Sequence, residues 1–232
     1  GDSVGIGKNA LQENTTGGSN TAVGRCALAL NTTANYNTAV GNSALKLNTT
    51  GEQNTVLGVE ALDANTTGSD NVAIGITALS ANTTAGNNTA VGASALVTNT
   101  TGSHNVGFGS GAARCNTTGY DNTAIGSEAM ERVTTGNENT AVGRLTGKGH
   151  TTGNQNTSIG YKAGCNVTTG DKNVFLGFEA GTQGGMVNIS TEDNRLVAGH
   201  STITNSYVKV DWTVTSDLRD KTNFGTVPHG LD

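Results

Sequence analysis

Hydrophobic positions recur along this chain with a period far longer than a helix or a simple strand produces. Asn-Thr-Ala-Val-Gly, or a close variant, begins at Asn20, Asn37, Asn54, Asn71, Asn88, Asn105, Asn122, Asn139, Asn156 and Asn173, on every seventeenth residue without exception. One step back, Ser3-Val-Gly-Ile-Gly fits the same frame. Eleven units therefore run from Ser3 to about Ile189, with the consensus N-T-A-V-G-x-x-A-L-x-x-N-T-T-G-x-x. Position 4 is apolar in every unit, from Ile6 to Leu176, and position 2 is Thr or Val. Two residues apart, these side chains share one face of a short strand.

The remaining positions predict how the unit turns. Position 5 is glycine throughout, with Gly41, Gly58, Gly75 and Gly92 in the middle of the column. An unbroken glycine column marks a backbone shape, or a close approach, that a Cβ would block. Position 8 is alanine except at Thr146; position 9 is Leu in the first six units, then Ala113, Met130, Gly147, Gly164 and Gly181. Thr-Thr-Gly or Thr-Thr-Ala closes the unit as a turn.

Such a unit cannot bury its apolar face alone, whereas stacked copies can. The expected fold is all-β: a β-solenoid (β-roll or β-helix) of eleven coils, joined as parallel strands about 4.8 Å apart into a rod of roughly 50 Å. Asn and Thr columns suit this plan, because stacked amides and hydroxyls bond along the ladder. The interior, filled largely by Ala and Gly, is thin. The missing burial is therefore expected from other copies of the chain, in a parallel homotrimer.

Composition supports a repetitive fold over an ordinary globule. Gly contributes 34 of 232 residues, and Asn and Thr together 66. Hydrophobic residues are 34%, against roughly 45–50% in globular domains. Charged residues are only 13% with one proline, which argues against a charged disordered tail. Lys and Arg form no stripe, so nucleic acid is not an expected partner. No run approaches the roughly 18 apolar residues of a membrane span, and no cofactor or metal site is expected. Gly1-Asp2 fills the last two positions of a preceding unit, so the rod is expected to continue upstream.

The sequence divides into residues 1–189, the rod; 190–215, a β capping and trimerisation segment; and 216–232. In the second, Val208, Val210, Trp212 and Val214 alternate with polar residues and read as a strand packed near a trimer axis. Ser216-Asp-Leu-Arg-Asp-Lys221 follows at once. This Ser-Asp-x-Arg-x-Lys junction resembles the opening of the intramolecular chaperone domain at the C-terminus of phage tail fibres, tailspikes and neck appendages. The stretches Asn194–His200 and Tyr207–Asp217 are similar to marine and cyanophage fibre proteins. The Asn-Thr-Thr-Gly…Asn-Thr-Ala-Val-Gly array resembles repeats upstream of that chaperone, and in style the heads of YadA-like trimeric adhesins. The resemblance implies trimerisation and, in the full-length protein, self-cleavage before Ser216, with Ser216 as nucleophile and Lys221 as base. Asp217 and Arg219 would orient that loop.

Other chemistry is weakly signalled. Cys26, Cys115 and Cys165 lie in widely separated coils, too far for the roughly 7 Å Cα spacing of a disulfide. His104, His150, His200 and His229 form no ligand pair. Glu60, Glu128 and Glu179 share position 7 but never in adjacent coils, so a glycosidase carboxylate pair is not formed. The Thr pairs are similar to the ladders of ice-binding solenoids, but neighbouring residues of an extended segment point to opposite faces, so they present one outward Thr column, as in a turn ladder, and not a flat double rank. Asn-Thr-Thr is also a glycosylation sequon, expected to stay bare in a phage protein made in bacteria. The sequence thus points to a trimeric viral tail fibre segment, extracellular on the virion and not itself an enzyme. Its partners would be two further copies, other tail proteins and a host receptor of glycan or outer-membrane character. A bacterial adhesin-like fibre and an ice-binding solenoid are the alternatives.

Overall fold

The computed structural model describes residues 2–182 and 188–204. The rod belongs to one compact unit, Gly1–Thr202; a second unit begins at Ile203, and only its first two residues are described. Val208, Val210, Trp212, Val214, Ser216, Asp217, Arg219 and Lys221 all lie outside the described residues, as do the strand and the processing junction read from them.

The chain forms a β-solenoid with one three-residue strand per coil. The strands are β1 Val4–Ile6, β2 Thr21–Val23, β3 Thr38–Val40, β4 Thr55–Leu57, β5 Val72–Ile74, β6 Thr89–Val91, β7 Val106–Phe108, β8 Thr123–Ile125, β9 Thr140–Val142, β10 Thr157–Ile159, β11 Val174–Leu176 and β12 Leu196–Ala198. They make one parallel sheet in strict chain order. Register advances by one whole repeat unit per rung, as in Thr21 opposite Thr38 and Ala22 opposite Ala39. The last step differs: Val174 pairs with Leu196, where a whole unit would have ended at Thr191. A five-residue insertion thus carries the ladder past Ile189 to a twelfth rung that the repeat frame does not mark.

Stacking buries the opposite strand face from the one its side chains suggest. The central residue points inward: Ala22, Ala39, Val56, Ala73, Ala90, Ala124, Ala141 and Phe175 are fully buried. Positions 2 and 4 do share a face, but it points outward. The core is completed by alanine at position 8 and by Leu28, Leu45, Leu62, Leu79 and Leu96 at position 9. Each such leucine contributes about 1.5–3 kcal/mol by leaving water. It does so with a left-handed backbone, φ being 51° at Leu96.

That backbone suits the glycines that replace leucine in the last coils. Gly164 takes the same position with φ 61°, a conformation free of Cβ strain. The lost volume returns from the neighbouring strand. A Cβ at Gly164 would stand 2.8 Å from Phe175 Cδ2, and the Phe175 ring also fills the space beside Gly181. One large inward residue on β11 thus substitutes for two leucines, as volume-conserving core exchanges allow.

The other side of the interior is polar and fully partnered over most of its length. Asn31, Asn48, Asn65, Asn82, Asn99 and Asn116 at position 12 are buried and bond coil to coil, for example Asn65 Nδ2 to Asn48 Oδ1 at 2.9 Å. Asparagines at position 1 accept the backbone N–H of the next coil, as in Asn37 N to Asn20 Oδ1 at 2.9 Å. The position 15 carbonyl accepts from both columns: Gly51 O takes Asn37 Nδ2 at 2.9 Å and Asn48 Nδ2 at 2.8 Å. Thr hydroxyls at position 13 donate to the next coil, such as Thr49 Oγ1 to Thr66 O at 2.9 Å. Burial of these six position 12 amides closes their Asn-Thr-Thr sequons to any modifying enzyme in the folded rod.

Candidate functional site

The glycine column places the strand face. In the middle of the rod Gly41, Gly58, Gly75 and Gly92 have φ of 141°, 149°, 131° and 135°. A Cβ on Gly92 would stand 2.5 Å from the carbonyl carbon of Gly109 in the next coil. Both reasons for glycine, backbone shape and close approach, therefore apply at one residue. The sharp bend it makes ends each strand after position 4, so the strands stay short and in line.

The result is a straight outward face of twelve rungs. Position 2 carries Thr, Val or Leu, and position 4 carries Val, Ile, Leu, Phe or Ala; no rung carries a charge at either place. Leu57 is 50% exposed, Phe108 53%, Ile125 40% and Ile159 44%. Among the described residues of the rod, fifteen large hydrophobics are exposed; eight are at positions 2 or 4, and Val59, Ile76 and Phe178 follow at position 6. Exposed apolar area concentrated in this way marks an interaction surface.

The last coils depart from the consensus and carry most of the chemistry. Position 6 becomes a stack: the Tyr161 and Phe178 rings lie 5.6 Å apart and nearly parallel, and Phe178 meets His200 edge-on at 5.8 Å. The Arg144 guanidinium sits 6.0 Å from the Tyr161 centroid. Lys162 Nζ lies 5.2 Å from the same Tyr161 centroid, and Phe178 remains 55% exposed beside these contacts. Arg114 pairs with Glu131 at 2.9 Å, and Lys148 bridges Glu128 at 2.7 Å and Glu131 at 2.8 Å. Lys148 holds the Glu128 carboxyl below its usual range, and the two carboxylates raise the lysine in turn.

The position 12 ladder ends here. After Asn116 the column continues as Val133, His150, Val167 and Ile189, all buried. Asn116 Oδ1 and both ring nitrogens of His150 have no hydrogen-bond partner among the described residues. Burial alone pushes His150 down to about 4. Next to it, Gly149 leaves a notch in the outward side of the rod, between Arg132 and Asn166 at the same position of the adjoining coils. Two connected hollows of about 290 and 410 Å³ open there, sharing Arg132, Gly149, Cys165 and Asn166.

Cys26, Cys115 and Cys165 are free and half-buried, and burial raises the Cys165 thiol. No group of three His, Cys, Asp or Glu suited to a metal occurs among the described residues. No helix among them is long and apolar enough to cross a membrane. The groove cations escape a reading of the repeat alone; the signal for them is the local loss of consensus at Gly147, Gly149 and His150. No family model matches the chain, and no curated protein or solved structure matches it.

Proposed function

We propose that the chain is a rod segment of a trimeric bacterial-virus tail fibre, serving structure and host attachment. The observation that carries this reading is the uncharged Thr/Val/Ile strand face that runs the length of the rod. Outside its leucine column the narrow core leaves the Val, Ile, Leu and Phe side chains of positions 2 and 4 on that face, and three copies packed about an axis would cover them. The outer sides of the rod would then face the host receptor, a glycan or outer-membrane component, and the rod ends would join other tail proteins. The junction at Ser216 supports the viral reading: an intramolecular chaperone would align three chains whose identical units invite one-coil slips. Its removal by Ser216 and Lys221 would leave the aligned rod kinetically trapped.

The bacterial adhesin-like fibre shares the same assembly and differs in what flanks the rod. Ice binding makes the opposite demand on the strand face. Rows of Thr and Val spaced by rung and by strand residue would have to stay open to solvent, in a monomer. One experiment separates these classes. Light scattering on the wild type and on Phe108→Asp should show an assembly that the charged variant breaks, with no thermal hysteresis in either. A folded monomer with thermal hysteresis abolished by Phe108→Asp would replace the fibre by the ice-binding reading.

A further inference from the structure

The notch at Gly149 has the composition of a ligand groove. We infer that it binds an acidic oligosaccharide, a uronate or sulfated sugar chain lying along the rod. Its two hollows are lined by three cations, Arg132, Lys148 and Lys162, and by no carboxylate. The glutamates that pair with the lysines stand outside the lining: Glu128 and Glu131 on Lys148, Glu179 on Lys162 at 3.4 Å. Lys162 Nζ also lies 5.2 Å from the Tyr161 ring centroid, so both lysines are charge-compensated and Arg132 is the cation left to meet an anionic ligand directly. Arg132 has no ion pair among the described residues, and its fork is suited to a planar or tetrahedral oxyanion.

Size and shape select a sugar over a simple ion. The larger hollow, about 410 Å³, lies within the range of small-molecule sites, and the smaller, about 290 Å³, at its lower edge. They run from Arg132 to Ser190, across four coils, or about 14 Å at the rung spacing. Their walls mix apolar surface from Leu145 and Cys165 with amides: Asn166 Nδ2 donates to Asn188 Oδ1 at 2.9 Å, an exposed bond that fixes both groups in the lining. The repeating rungs present polar groups at a spacing close to that of sugar units in a linear chain. Gly149 cannot carry a side chain that would fill the notch, because a Cβ there would strike the backbone oxygens of Cys165 and Val167. The groove uses positions 7, 10, 11 and 13, all beyond the strand residues, so it stays open if strand faces pack together.

The inference deepens the attachment reading but does not depend on it, since one chain makes the whole groove. Calorimetric titration tests it with trigalacturonate, a sulfated trisaccharide, neutral maltotriose and sodium sulfate at matched ionic strength. Saturable binding of an acidic trisaccharide at one site per chain is expected, with no binding of maltotriose and at least about tenfold weaker binding of sulfate. Arg132→Ala should weaken the acidic sugar about tenfold or more, and Lys162→Gln should weaken it too. Lys46→Ala, on a distant coil, should change nothing. Arg132 and Lys162 are solvent-accessible, so unchanged melting of these variants verifies the fold. No saturable binding of either acidic sugar, equal binding of sulfate, or indifference to Arg132→Ala overturns the inference. Sedimentation of the same samples reports the assembly separately, so failure of the groove and failure of the fibre are distinct outcomes.

Discussion

Asn48 donates its side-chain amide to Oδ1 of Asn31, one coil back, at 3.1 Å. The same contact recurs from Asn31 through Asn116, so each amide from Asn31 to Asn99 is both donor and acceptor in a buried column, and Asn116 ends it as a donor only. Replacing Asn65 by Leu would orphan Asn48 Oδ1 and remove one of two donors to Gly68 O. It would also leave Asn82 Nδ2 without its inter-coil acceptor. Each buried group left unmade costs about 1–3 kcal/mol. Urea unfolding of Asn65→Leu should therefore show a loss of at least about 3 kcal/mol. A loss under about 1 kcal/mol would mean the amide ladder is incidental.

Gly92→Val combines a φ of 135° with a Cβ aimed at the Gly109 backbone. The penalty should exceed the roughly 1 kcal/mol of a generic glycine replacement and reach at least about 3 kcal/mol. Ala93→Val, one residue on and exposed, is the control and should leave the melting temperature nearly unchanged. Equal melting of Gly92→Val and the wild type contradicts the close approach.

The period, the glycine column and the amide and threonine ladders were legible in the sequence because each is a constraint repeated in every unit. Which strand face turns inward was not. Hydrophobicity favours Val40 or Ile74 over Ala39 or Ala73, yet the alanines are buried, because the narrow coil admits only small side chains opposite Leu45 and Leu79. The twelfth rung was hidden by the five-residue insertion, which shifts Leu196–Ala198 out of frame. The groove was hidden for a different reason: Arg132, Lys148 and Lys162 fall at three different positions of the unit and meet only when coils stack.

Phe175 and Gly181 should behave as one unit. Phe175→Ala should cost about 3–5 kcal/mol, the range for a large core truncation. Gly181→Leu alone should also destabilise, since the Phe175 ring occupies the space a side chain would need. The double variant restores the Ala and Leu of the consensus coil. It should be more stable than the sum of the single effects predicts by at least about 1 kcal/mol. Simple additivity in a double-mutant cycle would show that the two positions do not share volume.

His150 makes stability depend on pH. Its imidazole is held down to about 4 by burial, against an ordinary value of 6.5. Between those values the unfolded chain binds a proton that the folded chain does not. The neutral-imidazole contribution is complete above pH 6.5 and is lost as pH falls toward 4, by on the order of 3 kcal/mol. Unfolding measured from pH 8 to pH 4 should show this fall, and His150→Val should flatten it. An equal slope in the variant would assign the effect to other groups.

Sedimentation equilibrium of the intact chain is the most direct test of the strand face as an assembly surface. A trimer closed over the strand faces should sediment as a single species at three times the 23.4 kDa mass of the chain, across micromolar concentrations. A folded monomer of 23.4 kDa over the same range, with the Val, Ile and Phe face open to water, would contradict it.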